Sequence, residues 1–128
     1  MSQAFNHSNI GEFFKNKSVF ITGVTGLVGK VLAEKILRSC TDVQYIYLLI
    51  RPKRGKTVEQ RFHELITKSR GLFTFVDKNF LEKLIPIDGD VSLPGLGMSD
   101  RDKQIIIKNV SIVFHAAADI TFESKDLR

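Results

Sequence analysis

Unbroken apolar runs alternate along this chain with apolar residues at helical spacing. Val19, Phe20 and Ile21 form one short run, and Tyr45 to Ile50 (YIYLLI) form a longer one. Continuous hydrophobicity of this length marks a strand covered on both faces. Between the two, Val28, Val31, Leu32 and Ile36 predict a helix from Gly26 with a buried stripe, closed by a turn from Ser39 to Asp42. Pro52 stops the second strand. Thr57 and Gln60 then have the spacing of a capping box. The helix they open places Val58, Phe62, Leu65 and Ile66 on one face and Glu64 and Lys68 as an exposed i, i+4 pair, with Gly71 ending it.

Further on, Phe73 to Leu84 is aromatic at first and helical around Asn79 to Lys83. Leu84 to Val91 reads as a third strand running into a turn, with Pro86 near its start or making it irregular. Ser92 to Gly97 is loop, Ser99 and Asp102 offer a second capping pair, and the helix they open runs through Ile105, Ile106 and Lys108. Asn109 to Phe114 is a fourth strand. Residues 1–17 form a polar lead-in with Phe13 and Phe14 as anchors.

The order β-α-β-α-(α)-β-α-β implies right-handed crossovers, hence an α/β doubly wound parallel sheet of about four strands. Ligands of such sheets lie beyond the carboxyl ends of the strands. Four stretches therefore converge on one crevice: Gly23 to Gly29, Arg51 to Arg54, Asp90 with Val91, and His115 to Asp119.

The first of these carries the most chemistry. Gly23, Gly26 and Gly29 follow a strand and open a helix, the arrangement of a Rossmann-like phosphate turn. Gly23 lets the chain leave the strand sharply, Gly26 lets backbone approach a pyrophosphate, and Gly29 lets the helix sit tight on the sheet. The helix start offers unpaired N–H groups and the positive end of its dipole.

About 20 residues beyond the glycine turn, an NAD-preferring site would place a carboxylate for the adenosine ribose. Here Arg51 stands at the strand end, with Lys53 and Arg54 behind it and no acid between Tyr45 and Val58. A guanidinium pairs with a 2′-phosphate that a carboxylate would repel, so the pattern favours NADP(H) over NAD(H). Asp90 and Val91 would flank the adenine, although Asp90 in Asp-Gly-Asp reads equally well as a turn residue. Ala116, Ala117 and Ala118 are small enough for close cofactor approach. His115, ending a strand, reads as a structural hydrogen-bonder before a catalytic group.

Composition narrows the partners. The 128 residues make one small domain or a piece of a larger one, 43% hydrophobic and 26% charged. No apolar run approaches the ~20 residues that span a bilayer, and residues 1–10 have no secretory-signal pattern. The single Cys40 fits a reducing, intracellular setting. The net charge of +5 is densest at Arg51, Lys53, Arg54 and Lys56, without the interleaved aromatics a nucleic-acid surface would carry. None of the three histidines pairs at metal-ligand spacing.

These residues resemble the extended short-chain dehydrogenase/reductases and, more closely, the fatty acyl-CoA reductases with their male-sterility-type NAD-binding domain. The matching stretches are Phe13-Phe14, Lys17 to Gly29, Tyr45 to Pro52, Phe80 to Leu84 running into Ile87 to Asp90, and Val113 to Ala118. The resemblance implies reduction of a long-chain acyl-CoA to a primary alcohol with two NADPH. It also implies that Gly23, Thr25, Gly26, Leu27, Val28 and Gly29 hold the pyrophosphate. Arg51, with Arg54 nearby, would meet the 2′-phosphate, Asp90 and Val91 the adenine, and Ala116 to Ala118 the ribose and nicotinamide side. A peroxisomal or endoplasmic-reticulum setting is implied for the full-length family, and no membrane attachment is encoded in these residues.

Departures from the family are Leu27-Val28 in place of an aromatic-leucine pair, Asp119 in place of an uncharged residue, and a short segment from Gly71 to Asn79. The superfamily's Tyr-x-x-x-Lys pair is also missing: Tyr45 and Tyr47 are followed four residues later by Leu49 and Arg51. The expectation is a lead-in over 1–17 and a truncated NAD(P)-binding Rossmann domain over 18–128, inactive alone and poorly soluble because its fourth strand is an apolar edge. A non-catalytic nucleotide-binding module, or an extended dehydrogenase acting on a sugar nucleotide or sterol, are the alternatives.

Overall fold

The computed structural model describes residues 7–68, 71–74 and 76–116. Four strands form one parallel sheet: β1 (Ser18–Thr22), β2 (Tyr45–Ile50), β3 (Leu84–Asp88) and β4 (Val110–His115), in the order β3-β2-β1-β4. The connections carry α2 (Leu27–Ser39) after β1, α3 (Val58–Lys68) and the short α4 (Lys78–Leu81) after β2, and a 3-10 turn (Pro94–Gly97) with α5 (Asp100–Asn109) after β3. A first helix, α1 (His7–Phe14), precedes the sheet. The lead-in is thus partly helical. Its Phe14 is buried in the core, while Phe13 stays exposed under the Lys17 ammonium, 4.3 Å from the ring centre.

The sheet is buried from both sides, as its uninterrupted apolar strands require. On one face Val19, Ile21, Ile46, Leu48 and Ile50 pack with Ala33, Ile36 and Leu37 of α2 and Val58 and Leu65 of α3. On the other, Phe20, Tyr47, Leu49 and Ile87 pack with Ile105 and Ile106 of α5 and with Leu96 and Met98. Helices on both faces make the sheet doubly wound. Pro86 is accommodated because β3 pairs with β2 alone, as an edge strand, where a missing N–H costs no ladder bond. On the opposite edge, β4 alternates between half-buried and exposed residues, with Val113 half exposed. No described helix is long and apolar enough to cross a membrane.

Both capping readings hold. The Thr57 amide donates to Gln60 Oε1 at 2.8 Å and the Gln60 amide to Thr57 Oγ1 at 3.1 Å, and the Asp102 amide donates to Ser99 Oγ at 3.1 Å. Glu64, by contrast, pairs with Lys56 at 2.6 Å and not with Lys68. A tight turn bridges Lys53 and Lys56 and delivers the Lys56 ammonium to α3. The third strand ends at Asp88, short of Val91, and the fourth is displaced by one residue to Val110–His115.

The face of α2 is a clear correction. Leu27, Val28 and Val31 are 76%, 68% and 45% exposed, and the buried positions are Gly29, Ala33, Glu34, Ile36 and Leu37. The cause is steric. A Cβ on Gly29 would stand 2.2 Å from the Gly23 carbonyl oxygen and 2.7 Å from Val24 Cα. Only a glycine fits where the helix meets the turn, so residue 29 faces the sheet. Ala33, Ile36 and Leu37 follow at i+4, i+7 and i+8. Of the expected stripe, Ile36 is buried and Leu32 packs partly buried against the core, while Val28 and Val31 face solvent.

Gly29→Ala should therefore destabilise the fold by about 3 kcal/mol, since the groups it meets are backbone and cannot rotate away. Gly26→Ala, whose Cβ would find the Gly23 oxygen at an ordinary 3.5 Å, should cost under about 1 kcal/mol. Urea unfolding of the two variants checks the contrast, and equal losses would contradict it.

Candidate dinucleotide site

A crevice of about 280 Å³ opens across the carboxyl ends of the strands, lined by Gly23, Thr25 and Gly26 from the first turn and by Leu49 and Arg51 from β2. Gly89, Asp90 and Val91 line it from beyond β3, Ala116 from beyond β4, and Arg61 from α3. All four chain stretches singled out in the sequence thus contribute to one concavity. Gly23 has φ of 78°, the left-handed conformation that lets the chain turn sharply off β1. The N-cap of α2 is Gly26, which has no side chain to cap the helix and leaves its first-turn amides to an outside acceptor.

Leu27, Val28 and Gly29 are not lining residues. The first two project into solvent and Gly29 is packed behind the turn, so only their backbone amides could serve a phosphate. Arg54 is exposed in the turn that follows β2 and does not reach the crevice. Ala117, Ala118 and Asp119 lie outside the described residues.

The wall beyond β3 is built by a close approach. A Cβ on Gly89 would meet Leu49 Cδ1 at 2.4 Å and the Leu96 carbonyl at 2.6 Å. The next residue, Asp90, donates its amide to the Leu96 carbonyl at 2.7 Å. Its Oδ1 accepts from the Ser92 amide at 2.9 Å and the Ser92 hydroxyl at 2.7 Å. These bonds, with Arg51 facing Oδ2 at 3.9 Å, hold the Asp90 carboxyl below its ordinary pKa. Asp90 is therefore a turn residue, as one of the two sequence readings had it, and its position also lines the crevice.

Arg51 leaves β2 with its side chain 65% exposed, and its carbonyl accepts a hydrogen bond from Arg61 Nη1. Across the crevice, the Ala116 amide donates to the Thr22 carbonyl at 3.0 Å and the Thr22 hydroxyl lies 3.2 Å from His115 Nδ1. His115 thus ties the ends of β1 and β4 together. Neither tyrosine lines the crevice: Tyr45 opens β2, and Tyr47 is buried beneath the sheet's second face. Burial, and secondarily the neighbouring Tyr45, pushes the Tyr47 phenol up.

Leu49, Gly89 and Arg61 are crevice residues that the sequence reading passed over. Arg61 carried a usable signal. The capping box fixes the start of α3 at Thr57, so position 61 stands one turn in, beside the strand end from which the chain has just departed.

A doubly wound parallel sheet, with a glycine turn after its first strand and a crevice across its strand ends, defines an α/β dinucleotide-binding domain. Residues 21–126 match the NAD-binding family described as male sterility protein. Over 117 residues the chain is 43% identical to fatty acyl-CoA reductase 1 of Homo sapiens, covering 89% of this chain and 22% of that protein. Over 126 residues it is 40% identical to the fatty acyl-CoA reductase wat of Drosophila melanogaster, covering 98% and 24%. In fold it is similar to the reductase domain of a non-ribosomal peptide synthetase from Mycobacterium tuberculosis, with a TM-score of 0.67 at 20% identity over 92% of this chain and 30% of that one. The chain belongs to the male sterility protein family and is homologous to fatty acyl-CoA reductases over an NAD(P)-binding portion, spanning under a quarter of the length of these two relatives.

The depressed Asp90 carboxyl has a pH signature. Its contribution to the turn is complete above the ordinary aspartate value of 3.8 and is lost as pH falls through the lower folded value. The Ser92 amide resonance should stay constant from neutral pH down to about pH 4 and move only below it. A transition centred above the ordinary value would mean that the bonds to Ser92 do not form.

Proposed function

We propose that this chain binds NADP(H) and supplies the cofactor-binding part of a fatty acyl-CoA reductase, whose overall reaction converts a long-chain acyl-CoA and two NADPH to a primary alcohol and CoA. The observation that carries the reading is Arg51 at the end of β2, in the wall of the crevice where an NAD-preferring site would hold a carboxylate. The shape of the cradle supports it. Gly23 turns the chain sharply off β1, Gly26 puts no side chain at the helix start, and Gly89 lets the β3 end close against Leu49.

When bound, the nicotinamide would supply a hydride. This chain's residues would bind and orient the dinucleotide. The open amides of α2 would receive the pyrophosphate, Arg51 the 2′-phosphate, and Asp90 the adenine amine, with Val91 against the ring. Arg54, remote from the crevice wall, would add only long-range charge, and the Ala116 to Ala118 stretch would run beside the ribose and nicotinamide. Thr22 and His115 would hold β1 and β4 at a fixed spacing beneath them. A proton donor for carbonyl reduction needs a phenol whose pKa is lowered and which faces the cofactor. Tyr47 is raised and buried, and Tyr45 opens β2, away from the strand's carboxyl end. These 128 residues are therefore expected to hold the cofactor without turning over an acyl-CoA.

Fluorescence titration should give NADPH binding tighter than NADH. Arg51→Gln should weaken NADPH by about 10- to 100-fold, the range for a lost charge-assisted phosphate contact, and NADH by less than about threefold. Equal effects on the two cofactors would overturn the assignment of Arg51. Reduction of a long-chain acyl-CoA by this chain would overturn its expected inactivity.

A further inference from the structure

The turn Pro94–Gly97, between the crevice wall and α5, runs left-handed through three consecutive residues. Gly95 has φ of 61° and ψ of 24°, Leu96 φ of 58° and ψ of 20°, and Gly97 φ of 62°. Glycine takes this conformation freely. In other L-residues it crowds Cβ against a carbonyl oxygen, and short polar residues such as asparagine tolerate it best. Among the described residues, Asn16 and Leu96 are the two non-glycines with positive φ, and Leu96 has no polar side chain to ease it. A leucine stays there only where its surroundings over-determine it.

Three contacts do so. The Leu96 side chain packs on the sheet's second face with Phe20, Tyr47, Leu49 and Ile87. Its amide donates to the Leu93 carbonyl at 3.0 Å, and its carbonyl accepts from the Asp90 amide at 2.7 Å. A right-handed residue at this position would swing that carbonyl away if the side chain stayed in the core. Gly97 closes on the same backbone, since a Cβ there would stand 3.4 Å from the Asp90 nitrogen. The turn is thus a clamp on the first residues of the crevice wall. Val91, 49% exposed and outside both apolar clusters, takes its position from the backbone so held.

We propose that Leu96 is a positioning residue for the adenine end of the cofactor. Its left-handed carbonyl sets the placement of Asp90, through which it acts on the exocyclic amine of the base, and its side chain anchors the turn to the core. The inference rests on the reading of Asp90 as the adenine contact and deepens it by naming what holds Asp90 in place.

The test compares NADPH with its deamino analogue, in which hypoxanthine replaces adenine and a carbonyl replaces the amine, by calorimetric titration of the intact chain. Wild type should prefer NADPH by about tenfold, the range for one hydrogen bond to a charged acceptor. Leu96→Val stays apolar, but its β-branch disfavours the left-handed conformation, so the preference should fall below about threefold. The Asp90 amide should then exchange with deuterium faster while the amides of β2 stay protected. Leu96→Asn should do the reverse, melting at lower temperature for want of the core contact yet keeping the preference. A purely structural residue would not separate stability from selectivity in this way. Should Leu96→Val not fold, Gly97→Ala, which strains the same turn, decides on the same readout. A preference that persists in folded Leu96→Val, or in Gly97→Ala where that one must serve, overturns this inference and leaves the Asp90 reading standing. So does a preference lost in folded Leu96→Asn. A wild-type chain that does not discriminate between the two dinucleotides overturns both.

Discussion

The contact on which the rest depends is the one between α2 and the turn after β1. Gly29 sits so close to the Gly23 carbonyl that no side chain can intervene. That contact fixes the rotation of α2 about its axis and therefore which residues reach the sheet. It also fixes where the helix N-terminus points. Packing and the direction of the helix's first amides are here two results of one steric constraint, because the helix cannot be rolled to bury Val28 or Val31 without moving those amides.

Charge is organised around that frame with little redundancy. Arg51 is exposed and would wander if it were held by its own side chain alone. Its backbone is tied to Arg61, and its guanidinium faces Asp90 at 3.9 Å. An ion pair of that length and exposure contributes little to stability, on the order of 0–1 kcal/mol. Its effect is positional, keeping the cation near the crevice while holding it only weakly. The Asp90 carboxylate needs no such partner, since the Ser92 amide and hydroxyl already satisfy its other oxygen.

Most of this architecture was legible from residue order. Unbroken apolar runs named β1 and β2, shorter interrupted ones β3 and β4, and the alternation with helices implied a parallel sheet and the end at which a ligand sits. The glycine turn, Arg51, Asp90, Val91 and Ala116 all converge where that topology puts them. What escaped was set by contacts between residues far apart in sequence. The face of α2 depends on a clearance at Gly29 that hydrophobicity does not encode. The partner of Glu64 depends on a turn that folds Lys56 back onto α3, and Arg61 becomes a crevice residue only once α3 is docked beneath the β2 end. Arg54, counted by proximity in sequence, is exposed in the turn after β2 and is not among the crevice lining.

The bond between Thr22 and His115 joins residues 93 positions apart, and it has a consequence in time. Strands β1, β2 and β3 can zip together in the order they are synthesised, each beside the last. The other flank of β1 waits for β4. At about 5–20 residues per second, a ribosome delivers those 93 residues over something on the order of 10 s. During that interval the central strand of the sheet has one open side, and the Ala116 wall of the crevice does not yet exist. The crevice lined by the described residues is therefore complete only after β4 has paired with β1. A nascent chain would need its first three strands to hold together unaided until the fourth arrives.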